Sequence, residues 1–312
     1  MYFIQAQKSK NEWWRYLTGL LIVMFAYLVL GSIPLGIVMF YKAAQGIPMD
    51  MNNFMDTYNT EAIGISQNSG LLLLLFPSVL AFFVLWGVMV WIHGKKTGDI
   101  ASSEGRIRWS RMLLASFIWL VLMIISELLF AYTYPEKYSF DFNPEKFIPL
   151  LILALFFIPF QTWFEELLFR SYLMQGIGLL FRSRIAALLL TSLGFGLLHS
   201  FNPEVREFGF MATMPYYVGF GIFAGLLVIM DNGIEMAFGI HAVNNVYSAV
   251  FVTYESSVLK TPALWTLNKI NPWLQNLAFL IMALVFILIM AKIYKWDEWK
   301  RIFRLIPRLV NR

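Results

Sequence analysis

The chain has no cysteine, only three histidines in 312 residues, and too few charged residues for a surface that faces water. Without cysteine there is no disulfide, no thiolate ligand and no thiol nucleophile. Acidic and basic residues make up 14% of the chain, against about a quarter in an ordinary soluble domain. Apolar residues make up 59%, so lipid is the expected solvent. The net charge of +5 would suit nucleic acid, but its distribution points to a cytoplasmic membrane face instead. No internal repeat and no low-complexity linker divides the chain, so 1–312 reads as a single membrane domain.

Long apolar stretches are what the sequence has in quantity. About twenty apolar residues carry a helix across the hydrocarbon. Eight stretches qualify: 16–41, 71–93, 112–132, 147–170, 184–202, 209–230, 234–253 and 272–293. They predict an all-α polytopic bundle of about eight transmembrane helices. The first is too long for a cleavable signal and reads as a retained span. Pro34, Pro77, Pro159 and Pro215 fall inside spans and predict kinks. The polar stretch 42–70 reads as a loop or a short surface helix.

Orientation follows from the basic residues. With both termini cytoplasmic, 18 of the 24 lysines and arginines fall on the inner side. That asymmetry, with no sorting signal in view, suits a prokaryotic plasma membrane. The stretch 294–312 sets Trp296, Trp299, Phe303 and Ile306 among lysines and arginines, predicting a basic amphipathic cytoplasmic helix on the inner leaflet. His93, at a cytoplasmic helix end, reads as an interfacial residue where a cation is welcome.

An ionisable group at bilayer depth costs roughly 3 kcal/mol or more on insertion scales, so each one needs a reason. Here they are Glu127, Glu165, Glu166, Arg170, His199 and His241, joined by the amides Asn244 and Asn245. Residues four apart share a helix face, whereas adjacent residues point about 100° apart. Glu166 and Arg170 therefore pair, and Glu165 is left without a local counter-charge. Phe195 and His199 share a face, as do His241 and Asn245, with Asn244 at the flank. Gly194 and Gly196, and the Gly221/Gly225 pair, allow close helix approach beside them. The turn near Arg182 lies 17 residues from both Glu165 and His199, so antiparallel helices bring these two level. Bringing His241 level as well requires the 170–184 hairpin to project toward the cytoplasm or to lie along the interface.

The three motifs E-E-x-x-x-R (Glu165, Glu166, Arg170), F-x-x-x-H (Phe195, His199) and H-x-x-x-N (His241, Asn245) resemble the CAAX-processing and bacteriocin-processing (CPBP or Abi) intramembrane protease family. They occur in the family's order, on three separate spans, within 157–253. The resemblance implies an intramembrane endopeptidase that hydrolyses a peptide bond with a glutamate-activated water. It implies Glu165 as general base, His199 as the residue that orients the water, and His241 and Asn245 as oxyanion donors. Glu166 and Arg170 would hold the architecture. Its eukaryotic relatives remove the last three residues of prenylated CaaX proteins, and its bacterial ones are linked to peptide maturation or bacteriocin self-immunity.

The residue chemistry supports that expectation independently. Amide hydrolysis needs a base for the water and donors where negative charge develops. Phe195 reads as packing that orients its histidine, and Glu127 as a hydrogen-bonding helix contact. Two rivals stay open. Glu165, His199 and His241 are a possible zinc ligand set, though metal-free chemistry is preferred. A non-enzymatic immunity protein or a proton-coupled transporter would use the same polar core. The expected partners are the lipid bilayer and a peptide or protein substrate entering from the membrane or cytoplasmic side, with no nucleic acid.

Overall fold

The computed structural model describes residues 2–254 and 256–308. Among these, seven helices are long and apolar enough to cross a membrane. They are α1 (Trp13–Ala44), α2 (Gln67–Ile92), α3 (Trp109–Thr133), α4 (Pro144–Phe181), α5 (Arg184–Phe201), α6 (Phe210–Asp231) and, after the shorter α7 (Glu235–Val250), α8 (Pro272–Tyr294). The chain is a polytopic helical integral membrane protein.

Helix α7 is where the span reading and the structure differ. The stretch 234–253 does form a helix, but of 16 residues, about 24 Å at 1.5 Å per residue. It reads as a span from apolar content, yet His241, Asn244 and Asn245 interrupt it and it needs little lipid-facing surface. Trp163 of α4 packs on its Phe238 with ring centroids 5.6 Å apart. A Cβ on its Gly239 would meet the Met112 carbonyl of α3 at 2.5 Å. The outer helices behave oppositely. Leu113, Phe117, Val121, Ile124 and Leu128 form an exposed stripe along α3, while Met112, Ala115 and Trp119 are buried behind it. This is the division expected of a helix with lipid on one side and protein on the other.

Helix α1 bends in its middle. A wide π-type turn over Ala26–Leu30 precedes Gly31, and the helix resumes at Ile33 with Pro34 in its first turn. Pro fits there because a first-turn N–H has no helical partner to lose. The stretch 42–70 holds a short helix, Met51–Thr57, capped by Asp50. It is tied by the Asp56–Arg206 ion pair to the Pro203–Phe208 turn. At that same end, a three-stranded sheet has β3 (Trp265–Leu267) in the centre, antiparallel to β1 (Tyr138–Phe140) and parallel to β2 (Val252–Tyr254).

At the other end the two terminal segments meet. The Gln7 side chain donates to the Pro307 carbonyl at 2.7 Å, and the Ile306 N–H donates to the Arg182 carbonyl at 2.9 Å. Phe3 and Ile306 both close on Gly178, near the end of α4. Helix α4 runs for 38 residues, about 57 Å, nearly twice the hydrocarbon thickness. Its last turns thus project beyond the spans.

Two local expectations are corrected here. The stretch 294–312 is not one amphipathic helix: among its described residues there is a single turn, Trp299–Phe303, followed by extended chain. Pro307 disfavours helix at Ile306, whose side chain is buried against α4 instead. Residues 309–312 lie outside the described residues. His93, one residue past the end of α2, is fully buried in protein rather than set to carry a charge, with Nδ1 facing the Lys10 carbonyl at 2.8 Å and Nε2 facing the Tyr172 hydroxyl. Burial pushes it down to about 4, so it is neutral at physiological pH.

The sequence also gave no hint of a buried ion cluster at this end. Arg108 donates to both Glu235 oxygens, at 2.9 and 2.6 Å, and lies 2.8 Å from Asp231, which also pairs with Arg111. It clamps the α6–α7 turn to the start of α3.

Close approach of α5 and α6 sets the site's geometry. A Cβ on Gly221 would lie 2.9 Å from the Ser192 backbone, and one on Gly225 would lie 2.5 Å from Leu188. Gly221→Val is therefore expected to cost about 1–3 kcal/mol by forcing the helices apart. A lowered thermal midpoint of the purified protein checks this, and an unchanged one refutes it.

Candidate active site

The polar residues of α4, α5 and α7 converge. Glu166 is fully buried and holds two partners at once. Its Oε2 lies 3.2 Å from Arg170 Nε, and its Oε1 lies 2.7 Å from His241 Nδ1. The first contact follows from i,i+4 spacing. The second joins residues 75 apart in sequence and exists only once α7 packs on α4. A carboxylate only accepts, so His241 Nδ1 carries the proton of that bond.

Glu165, one position earlier, points elsewhere. Its Oε1 accepts from the Gln161 amide, one helical turn back. Its Oε2 is shielded from solvent, accepts no hydrogen bond and lies 3.8 Å from His241 Nε2. The two carboxylates are thus divided as their spacing predicts: Glu166 is ion-paired to Arg170 and hydrogen-bonded to His241, whereas Glu165 has no arginine beside it and its Oε2 comes no closer than 3.8 Å to His241.

His199 stands where the α-helical part of α5 ends and a single tighter turn, His199–Phe201, begins. Its Nδ1 donates to the Phe195 carbonyl at 2.7 Å, which leaves Nε2 as the available nitrogen. Tyr217 of α6 stacks on the ring, with centroids 4.4 Å apart and planes inclined by 23°. Asn202 donates to the Tyr217 hydroxyl at 3.1 Å. Phe195 is buried at the centre, 4.6 Å from the His199 ring, 6.0 Å from the His241 ring and 4.5 Å from the Arg170 guanidinium. It packs against both histidines and stacks under a cation.

Asn245 donates to Gln161 Oε1 at 3.2 Å, and Asn244 donates to Asn245 Oδ1 at 3.2 Å and to the Tyr216 hydroxyl at 3.4 Å. Glu127 lies apart from this group and accepts from the Tyr138 hydroxyl on β1. Among the described residues, no group of three or more His, Asp or Glu is arranged to hold a metal ion.

The arrangement offers an unpartnered carboxylate oxygen, a histidine with one free nitrogen, and a second histidine and an amide beside it. Comparison with known families matches residues 144–247 to a model described as type II CAAX prenyl endopeptidase Rce1-like. The 144–247 segment is thus similar to that family. All three motifs lie within it, in agreement with the resemblance read from the sequence. Over most of its length the chain is also similar to the Bacillus subtilis (strain 168) protein YyaK, which is described as uncharacterized. The two are 29% identical over 289 residues, covering 91% of this chain and 93% of that one. No solved structure matches.

The matched segment also contains residues that motif reading passes over. Gln161 and Tyr217 touch motif residues directly, and Tyr216 accepts a hydrogen bond from Asn244 beside them. Gln161 carried a usable signal, since it is an amide in an apolar run four residues before Glu165. The two tyrosines carried none, because tyrosine is ordinary near membrane interfaces.

Proposed function

We propose that the protein is an intramembrane endopeptidase in which Glu165 activates a water for attack on a peptide carbonyl. The reading rests on the Rce1-like match and on one observation above all: Glu165 Oε2 is buried, unpartnered and next to His241. Through this oxygen Glu165 takes the proton as the water adds to the carbonyl carbon. His199, with Nδ1 tied to a carbonyl, orients the water from Nε2. His241 and Asn245 donate to the oxyanion. Because His241 Nδ1–H is committed to Glu166, donation from Nε2 requires the doubly protonated ring, whose charge the two glutamates balance. Collapse of the tetrahedral intermediate breaks the C–N bond, and the proton held by Glu165 passes to the leaving amine.

The basic end, where the terminal segments meet, faces the cytoplasm of a prokaryotic plasma membrane in this reading. The substrate is a peptide or protein segment reaching the site from the membrane or its cytoplasmic side. Comparative peptidomics of cells carrying wild type or Glu165→Gln tests the reading. New termini should appear only with wild type, and identical peptidomes would refute it. Chelator-stripped wild type is expected to keep its cleavage rate. Loss of the rate with return on stoichiometric zinc would replace the metal-free mechanism with a zinc-bound one.

A further inference from the structure

We infer that Gln161 is a positioning residue that couples the carboxylate of Glu165 to the amide of Asn245 and so fixes which way the oxyanion donor points. The inference rests on the endopeptidase reading and deepens it. Gln161 stands outside the three motifs, on α4, between the two groups it joins.

Hydrogen-bond direction sets this coupling. An amide side chain has a donating end and an accepting end, and nothing about its shape chooses between its two orientations. Glu165 supplies the choice. An ionised carboxylate only accepts, so Gln161 must turn its NH₂ toward Glu165 Oε1, as observed. Its carbonyl oxygen then faces Asn245 and accepts from Nδ2 at 3.2 Å. That in turn places Asn245 Oδ1 toward Asn244, which donates to it at 3.2 Å. The polarity therefore runs in one sense from Asn244 through Asn245 and Gln161 to Glu165. Asn245 keeps its second Nδ2 hydrogen, the one available to a developing oxyanion. Were Asn245 reversed, its carbonyl would face the site and repel that charge.

Glu165 Oε1 is occupied by the amide, and Oε2 is the one without a partner. No other described side chain hydrogen-bonds to both Glu165 and Asn245.

The test uses the full chain in liposomes. The probe is a quenched farnesylated peptide ending in a CaaX sequence, together with the endogenous peptide that distinguishes wild type from Glu165→Gln. Gln161→Met keeps the volume and removes both hydrogen bonds; Gln161→Asn keeps the amide but is too short to reach both partners. Each is expected to lower kcat by about 10–100-fold with KM within about threefold, because the donor matters only once charge develops. Combining Gln161→Met with Asn245→Ala should cost no more than Asn245→Ala alone, since the glutamine acts through the asparagine. Thermal midpoints measured alongside separate this from misfolding. Full kcat in a folded Gln161→Met variant, or additive losses in the double variant, would overturn the inference while leaving the endopeptidase reading in place. Cleavage of neither peptide by wild type, or undiminished cleavage by Glu165→Gln, overturns both.

Discussion

Glu165→Gln is expected to lower kcat by roughly a thousandfold and to leave the fold intact. Positioned general bases contribute about 10²–10⁴-fold, and glutamine cannot take the proton. The substitution is nearly isosteric, and its oxygen can still accept from Gln161, so the hydrogen bond on that side survives. Glu166, Arg170 and His241 remain bonded to one another. The thermal midpoint should therefore stay close to wild type while cleavage disappears. A large drop in midpoint would mean that Glu165 serves the structure, and retained cleavage would remove it from the chemistry.

Arg170→Ala should do the reverse and unfold the site first. Arg170 is 1% exposed and Glu166 is completely buried. Removing one partner of such a pair leaves a buried charge uncompensated, at about 3–5 kcal/mol. The loss also removes the cation from the face of Phe195, the ring that contacts both histidines. Removing both charges is a different case. Arg170→Met combined with Glu166→Gln leaves no orphaned ion, and the thermal midpoint should largely recover. Cleavage should not, because His241 then has only a neutral acceptor at Nδ1. Recovery of cleavage in the double variant would show that the pair does no more than hold the helices. Failure of the midpoint to recover would show that lost packing, not the orphaned charge, causes the destabilisation.

The legible part of the fold was the part governed by lipid. Runs of about twenty apolar residues gave seven of the helices because exposed positions such as Leu113, Phe117 and Leu128 must be apolar wherever lipid touches them. Helix α7 is less regular in this respect since protein encloses most of it, and an enclosed helix is free to be short and polar. His93 misled for a related reason. Its neighbours in sequence, Lys95 and Lys96, suggest a wet helix end, whereas the Lys10 carbonyl and the Tyr172 hydroxyl that surround it come from elsewhere in the chain.

Within the candidate site, local spacing announced the contacts that lie on one helix. Glu166 with Arg170 and Phe195 with His199 are each a single turn apart, and each pair is in contact. The contact of Glu166 with His241 is set by how α7 packs on α4, which no spacing encodes. The same holds for Tyr217 against His199. Gln161 falls between the two cases, since its link to Glu165 is local and its link to Asn245 is not.

A single turnover in ¹⁸O-labelled water measures most directly whether one solvent molecule, rather than the enzyme, delivers the attacking oxygen. With Glu165 as base, the new carboxylate of the product should carry one ¹⁸O and the Glu165 side chain none. An unlabelled product together with label in Glu165 would mean that the carboxylate itself attacked the carbonyl, and would contradict the account.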